Sequence, residues 1–109
     1  MAYNEQLADR VRELMSAHAD VSERKMFGGI AFMVAGNMAC GILGDELIVR
    51  LGDEDGEKAL AEDGVRPFDF TRRPMKSIVY VSSERTSEDK GLAGWVEAGA
   101  NHAESLPPK

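Results

Sequence analysis

The chain has one cysteine, Cys40, and two histidines, His18 and His102, among 109 residues. A single thiol excludes an intrachain disulfide and any zinc site built from several cysteines, and nothing near His18 has metal-ligand spacing. Long apolar runs are also missing: none approaches the roughly 20 residues a helix needs to cross a bilayer. The amino terminus reads Met1-Ala2-Tyr3-Asn4-Glu5-Gln6, polar where a secretion signal would be basic and then apolar. Neither export nor membrane insertion is expected, and a reducing cytoplasm is the expected location. No repeat or low-complexity segment interrupts the chain. Positive charge is scarce as well, with 13 Lys and Arg against 19 Asp and Glu for a net charge of −6. Such a balance argues against coating nucleic acid by net attraction, because that mode rests on neutralised phosphates and released counterions.

Apolar residues make up 43% and charged residues 29%, enough to fill one interior and solvate one surface. A single domain over residues 1–109 is expected. Asn4 can cap a helix whose stripe Leu7, Val11, Leu14 and His18 runs to about Ala17; His18 is read as a partly buried helix-end residue. The period then changes to two, in Ile30-Phe32-Val34, Met38-Cys40-Ile42 and Leu47-Val49-Leu51, with Ala35-Gly36-Asn37 and Gly44-Asp45 between them. Strands are expected at 23–27, 29–34, 38–43 and 46–51, joined by tight hairpins. Gly52 ends this run, and Asp53 or Asp55 can cap a short helix with Ala59 and Leu60 on its apolar side. An extended segment at 65–70 contains Pro67 and belongs at an edge or a strand start. A turn at 71–74 leads to the β-branched strand 76–81. The last helix is expected from Thr86 or Ser87, with Leu92, Trp95, Val96, Gly99, Ala100 and Ala103 in one stripe, where Gly99 and Ala100 permit close approach.

The fold class is therefore α+β: an antiparallel curved sheet of about five to six strands, helices packed mainly on one face, in the order αββββαββα. Ala31, Met33, Ala39, Leu43 and Ile48 fall out of phase with the inward set, so the second face is also apolar. Self-association through it, as a homodimer, is an expectation.

The chemistry-bearing stretches are Arg24-Lys25-Met26-Phe27-Gly28-Gly29 and Arg72-Arg73-Pro74-Met75-Lys76, which set cations beside apolar side chains in an acidic chain. We expect Arg24, Lys25, Arg50, Arg72, Arg73 and Lys76 to gather near the Gly28-Gly29 bend and dock an acidic partner, a protein surface or DNA phosphates. Arginine suits planar anions that accept two hydrogen bonds. The opposing expectation is that these charges are solubilising and paired with Glu23, Asp45 and Asp69. Gly28-Gly29 lacks the spacing of a phosphate-binding loop, and the acidic residues of 53–63 lack the ligand order of a calcium loop. An enzyme would have to use Cys40, His18, Tyr80 or Asp69, yet no nucleophile, base and orienting group assemble from these spacings. Cys40 reads as a small buried hydrophobe, with a reactive thiol as the alternative. No catalytic residue, metal or cofactor is assigned.

The run Glu23-Arg24-Lys25-Met26-Phe27-Gly28-Gly29-Ile30-Ala31-Phe32-Met33, with Gly36-Asn37-Met38, Gly44-Asp45-Glu46-Leu47 and Arg73-Pro74-Met75, resembles the N-terminal domain of the TfoX/Sxy family. The resemblance implies an α/β domain of this element order in a bacterial cytoplasmic protein with a regulatory role. Some members regulate natural competence together with a CRP-type transcription activator. Longer members add a C-terminal helical domain with helix-hairpin-helix character; this chain is expected to be a short stand-alone member, a class mostly without assigned activity.

Overall fold

The computed structural model describes residues 3–26, 28–68 and 75–107, with the backbone alone at Met26, Met75 and Lys76. Helix α1 (Glu5–Met15) starts where the Asn4 side chain accepts hydrogen bonds from the backbone N–H groups of Gln6 and Leu7, so the expected cap is the one formed. It buries Leu7, Val11 and Met15 and stops at Met15, short of the expected Ala17. Strands β1 (Val21–Met26), β2 (Gly29–Val34), β3 (Asn37–Leu43) and β4 (Glu46–Arg50) then form an antiparallel meander. Ala35 and Gly36 both have positive φ, 50° and 85°, between the paired Val34 and Asn37. That is the twist a two-residue type I′ turn supplies.

After β4 the chain forms α2 (Asp53–Ala59), β5 (Val65–Phe68), β6 (Met75–Val81), a short α3 (Ser83–Thr86) and α4 (Asp89–Glu104). The six strands lie in the order β1-β2-β3-β4-β6-β5, every pair antiparallel. The α+β class and element order agree with the sequence expectation, α3 being added. Helix α4 crosses β2, β3 and β4, and α1 lies beside it. Between helices and sheet, Phe32, Ile42, Leu47, Val49, Val79 and Val81 are wholly buried. A Cβ at Gly99 would stand 2.3 Å from the carbonyl oxygen of Ala39, so this position must lack a side chain for α4 to settle against β3.

Three local expectations give way for identifiable reasons. Phe32 pairs with Cys40 but Met33 with Met38, so Ala39 is the extra residue of a bulge and joins the helix-side core instead of the second face. Thr86 is buried and its hydroxyl donates to the carbonyl of Ser83, which closes α3 and leaves α4 to start at Asp89, without a side-chain cap at Glu88. Helix α2 begins on Gly52, φ 87°, rather than on an aspartate cap. A side chain there would collide with the His102 ring, 2.8 Å from a Cβ.

Candidate functional site

Strand pairing decides which way each candidate cation points, because directly opposed residues share a face and successive residues alternate. Lys25 lies opposite Ile30, which belongs to the helix-side core, whereas Arg24 lies opposite Ala31 on the other face. The basic pair is therefore split across the sheet. Arg50 lies opposite Ile78, on the same face as Arg24, which no described helix covers. One cross-strand row on this open face runs Arg24, Ala31, Gly41, Ile48, Tyr80 and Arg66. With strands about 4.8 Å apart, the backbones at Arg24 and Arg50 are roughly 15 Å apart, too far for one small anion and close enough for one protein surface.

Arg72 and Arg73 lie outside the described residues, as does the Lys76 side chain. Among the described residues, Arg24 and Arg50 share one face and Lys25 leaves β1 on the other. Gly28, with φ 78°, lies exposed at the bend. Gly29 is buried, and a Cβ there would stand 2.1 Å from the Ile42 carbonyl oxygen. Backbone approach between β2 and β3 accounts for that glycine.

The two described acids expected to neutralise the candidate cations are engaged elsewhere. Glu23 accepts from Arg12 at 2.6 and 2.7 Å, and Asp9 accepts from the same guanidinium at 2.5 Å. The hydrogen bonds from Arg12 hold the Glu23 carboxyl below the usual carboxylate range. Asp45 accepts from the Asn4 side-chain amide, and Asp69 lies outside the described residues. Among the described residues Arg24, Lys25 and Arg50 make no ion pair. Arg66, which the sequence reading did not single out, closes the far end of the row: it pairs with Glu46 and lies over the Tyr80 ring, 4.9 Å from its centroid. Between these ends Met33, Met38, Leu43 and Ile78 are half-buried, Ala31 and Ile48 are wholly buried, and Ile48 clusters with the buried Phe68 and Tyr80.

The alternative reactive groups are each enclosed. Cys40 is wholly buried in the sheet–helix core, and burial pushes its thiol up to about 12. His18 has 11% side-chain exposure, with Nε2 3.1 Å from Glu97 and Nδ1 2.7 Å from Glu104. Its pKa is raised, chiefly by the hydrogen bond to Glu97. Sequence reasoning missed this clamp, although Glu97 and Glu104 lie seven residues apart on α4, a spacing that returns to one helix face. Among the described residues no group of three or more His, Cys, Asp or Glu suits a metal. A groove of about 450 Å³ runs between α1 and α4 over Leu14, Ala17 and Leu92, and the 3.0 Å Arg10–Asp89 pair lies along it.

None of the described helices is long and apolar enough to cross a membrane. No curated protein matches the chain. The TfoX N-terminal domain family model matches residues 13–103, from the second half of α1 to the end of α4, and so takes in every strand described above. The chain belongs to the TfoX N-terminal domain family.

Proposed function

We propose that this domain is a non-enzymatic regulatory interaction module that docks an acidic protein partner on the open face of its sheet. The observation that carries this reading is the placement of Arg24 and Arg50, without ion-pair partners among the described residues, on an apolar sheet face where Met33, Met38, Leu43 and Ile78 are half-buried, in a chain of net charge −6. Apolar contact supplies affinity, while guanidinium groups at separate points of its margin select carboxylates and fix orientation. Regulation of transcription or competence through such a contact is the role this reading implies.

Three other occupants or activities fit less well. DNA would need many phosphate contacts to overcome the repulsion of the acidic chain. A second copy meeting the same face about a two-fold axis would set Arg24 and Arg50 against a face of like charge. Catalysis would need a nucleophile within reach of a base, but Cys40 is sealed in the core, His18 is held by two glutamates and Tyr80 lies beneath Arg66.

The test is affinity capture from the native host with wild type and the Arg24→Glu/Arg50→Glu variant in parallel, followed by measurement of purified pairs. The expected result is an acidic protein held by wild type and released by the variant, with binding that weakens as salt rises. Identical captured sets would overturn the reading. A steep salt-dependent shift of DNA by wild type would replace it with a nucleic-acid role, and a dimer mass abolished by the variant would replace it with self-association.

A further inference from the structure

The two edges of the sheet differ in their capacity to accept another strand. β5 has four residues, contains Pro67, and shifts register against β6 between Pro67 and Phe68. Short length, proline and a bulge each blunt an edge. β1 has six residues without proline, in unbroken register from Val21↔Val34 to Met26↔Gly29. Among the described elements only β2 borders it extensively, and Ser22, Glu23, Arg24 and Lys25 are exposed. Its outer side therefore presents backbone N–H and C=O groups that no described strand pairs.

Arg24 and Lys25 are consecutive, point to opposite faces, and lack ion-pair partners among the described residues. A ligand resting on either face meets one of them. Only a ligand lying along the edge meets both, and an extended chain paired with β1 does so because its own side chains alternate with the same period. We infer that the free edge of β1 binds an extended acidic peptide segment by strand addition, main-chain hydrogen bonds holding it while two consecutive carboxylates meet Arg24 and Lys25. This rests on the reading of the domain as a module for an acidic partner, and adds the mode of binding. Glu23 opposes it only in part, since it is paired with Arg12, although Arg12 also serves Asp9 and the cluster keeps one net negative charge. The Asp9–Arg12–Glu23 cluster also ties β1 to α1, so less ordering is left for the moment of binding. The same cations work against a second copy of β1, whose Arg24 and Lys25 would approach their own equivalents.

The probe is a blocked peptide of about seven residues, the length of an ordinary strand, with two glutamates centred between valines and threonines. Two further versions carry N-methyl groups on one or the other alternate set of amides. Binding is followed by calorimetry and by hydrogen exchange of the protein. The unmodified peptide should bind and protect amides of β1. One of the methylated sets, the one facing β1, should weaken binding about tenfold or more, having lost several main-chain hydrogen bonds. Arg24→Glu/Lys25→Glu should weaken it similarly while leaving thermal unfolding unchanged, and exchanging the glutamates of the peptide for lysines should restore binding to that variant. Equal binding of all three peptides would overturn strand addition and leave the acidic-partner reading standing. No binding of the unmodified peptide at millimolar concentration would overturn it too, and identical capture by wild type and Arg24→Glu/Arg50→Glu would then remove both.

Discussion

The two faces of the sheet share six strands and differ in what meets them. On the helix side, branched and aromatic residues from β2, β3, β4 and β6 are wholly buried, and at Gly99 the backbones of α4 and β3 approach until no side chain fits between them. On the open side Met33, Met38, Leu43 and Ile78 remain half-exposed, and Arg24 and Arg50 rise from the strands themselves. The helix face is closed by packed helices; on the open face Ala31, Ile48, Phe68 and Tyr80 are buried without a described helix over them, and half-buried apolar side chains and guanidinium groups lie around them. In the proposed reading recognition belongs to the open side, and most of the stability to the helix side. Substitutions should separate the two.

The largest effect belongs to the helix side. Phe32→Ala removes a wholly buried ring and should cost about 3–5 kcal/mol in urea unfolding. Gly99→Val should cost about 3 kcal/mol, since α4 must move off the Ala39 carbonyl to make room. Met38→Ala, on the open face and half-exposed, should cost about 1 kcal/mol. Equal losses at Phe32 and Met38 would mean that the half-buried margin of the open face is packed as tightly as the helix side, and the distinction drawn above would fail.

Charge reversal probes the other side of the comparison. Arg24→Glu/Arg50→Glu should leave stability within about 1 kcal/mol, because neither side chain is ion-paired in the described structure, Arg24 being exposed and Arg50 half-buried. Affinity for an acidic partner should fall by about tenfold or more, equivalent to at least about 1.4 kcal/mol. A variant that loses stability and affinity together would place these arginines in the architecture rather than on a recognition surface.

Much of this division can be traced to the chain itself. Period-two alternation in Ile30-Phe32-Val34 and Leu47-Val49-Leu51 identifies strands, and turn chemistry at Ala35-Gly36 and Gly44 sets their boundaries, because both are local properties of the backbone. The spacing of Leu92, Val96, Gly99, Ala100 and Ala103 likewise marks the buried side of α4. Pairing across strands is not local. That Ala39 bulges toward α4 depends on β2 and β3 meeting with one residue too many, which neither strand shows alone. The candidate site was harder still: Arg24 and Lys25 look like one patch in sequence, yet the pleat sends them apart, and Glu23, an apparent partner for either, is claimed by Arg12 from α1. Side-chain partners chosen across tens of residues leave no periodic trace.

The smallest expected effect tests how the helix layer is joined at its margin. Each ring nitrogen of His18 faces a carboxylate, Glu97 on one side and Glu104 on the other, and only the imidazolium can donate to both. The folded-state pKa is raised above the ordinary 6.5, so the protonated ring is favoured by folding. Its contribution to stability is fully present below the unfolded pKa and is lost as pH rises through the folded one. The difference in melting temperature between wild type and His18→Gln should therefore be largest below the ordinary histidine value of 6.5 and shrink on alkalisation through the raised folded-state value, by less than the effect of any helix-side core substitution. The NMR titration of the His18 ring should give a midpoint above 6.5 that falls in Glu97→Gln. A midpoint at or below 6.5 would show that one nitrogen is unprotonated at neutral pH, leaving the α1–α4 junction to rest on the apolar contacts around Leu14 and Leu92.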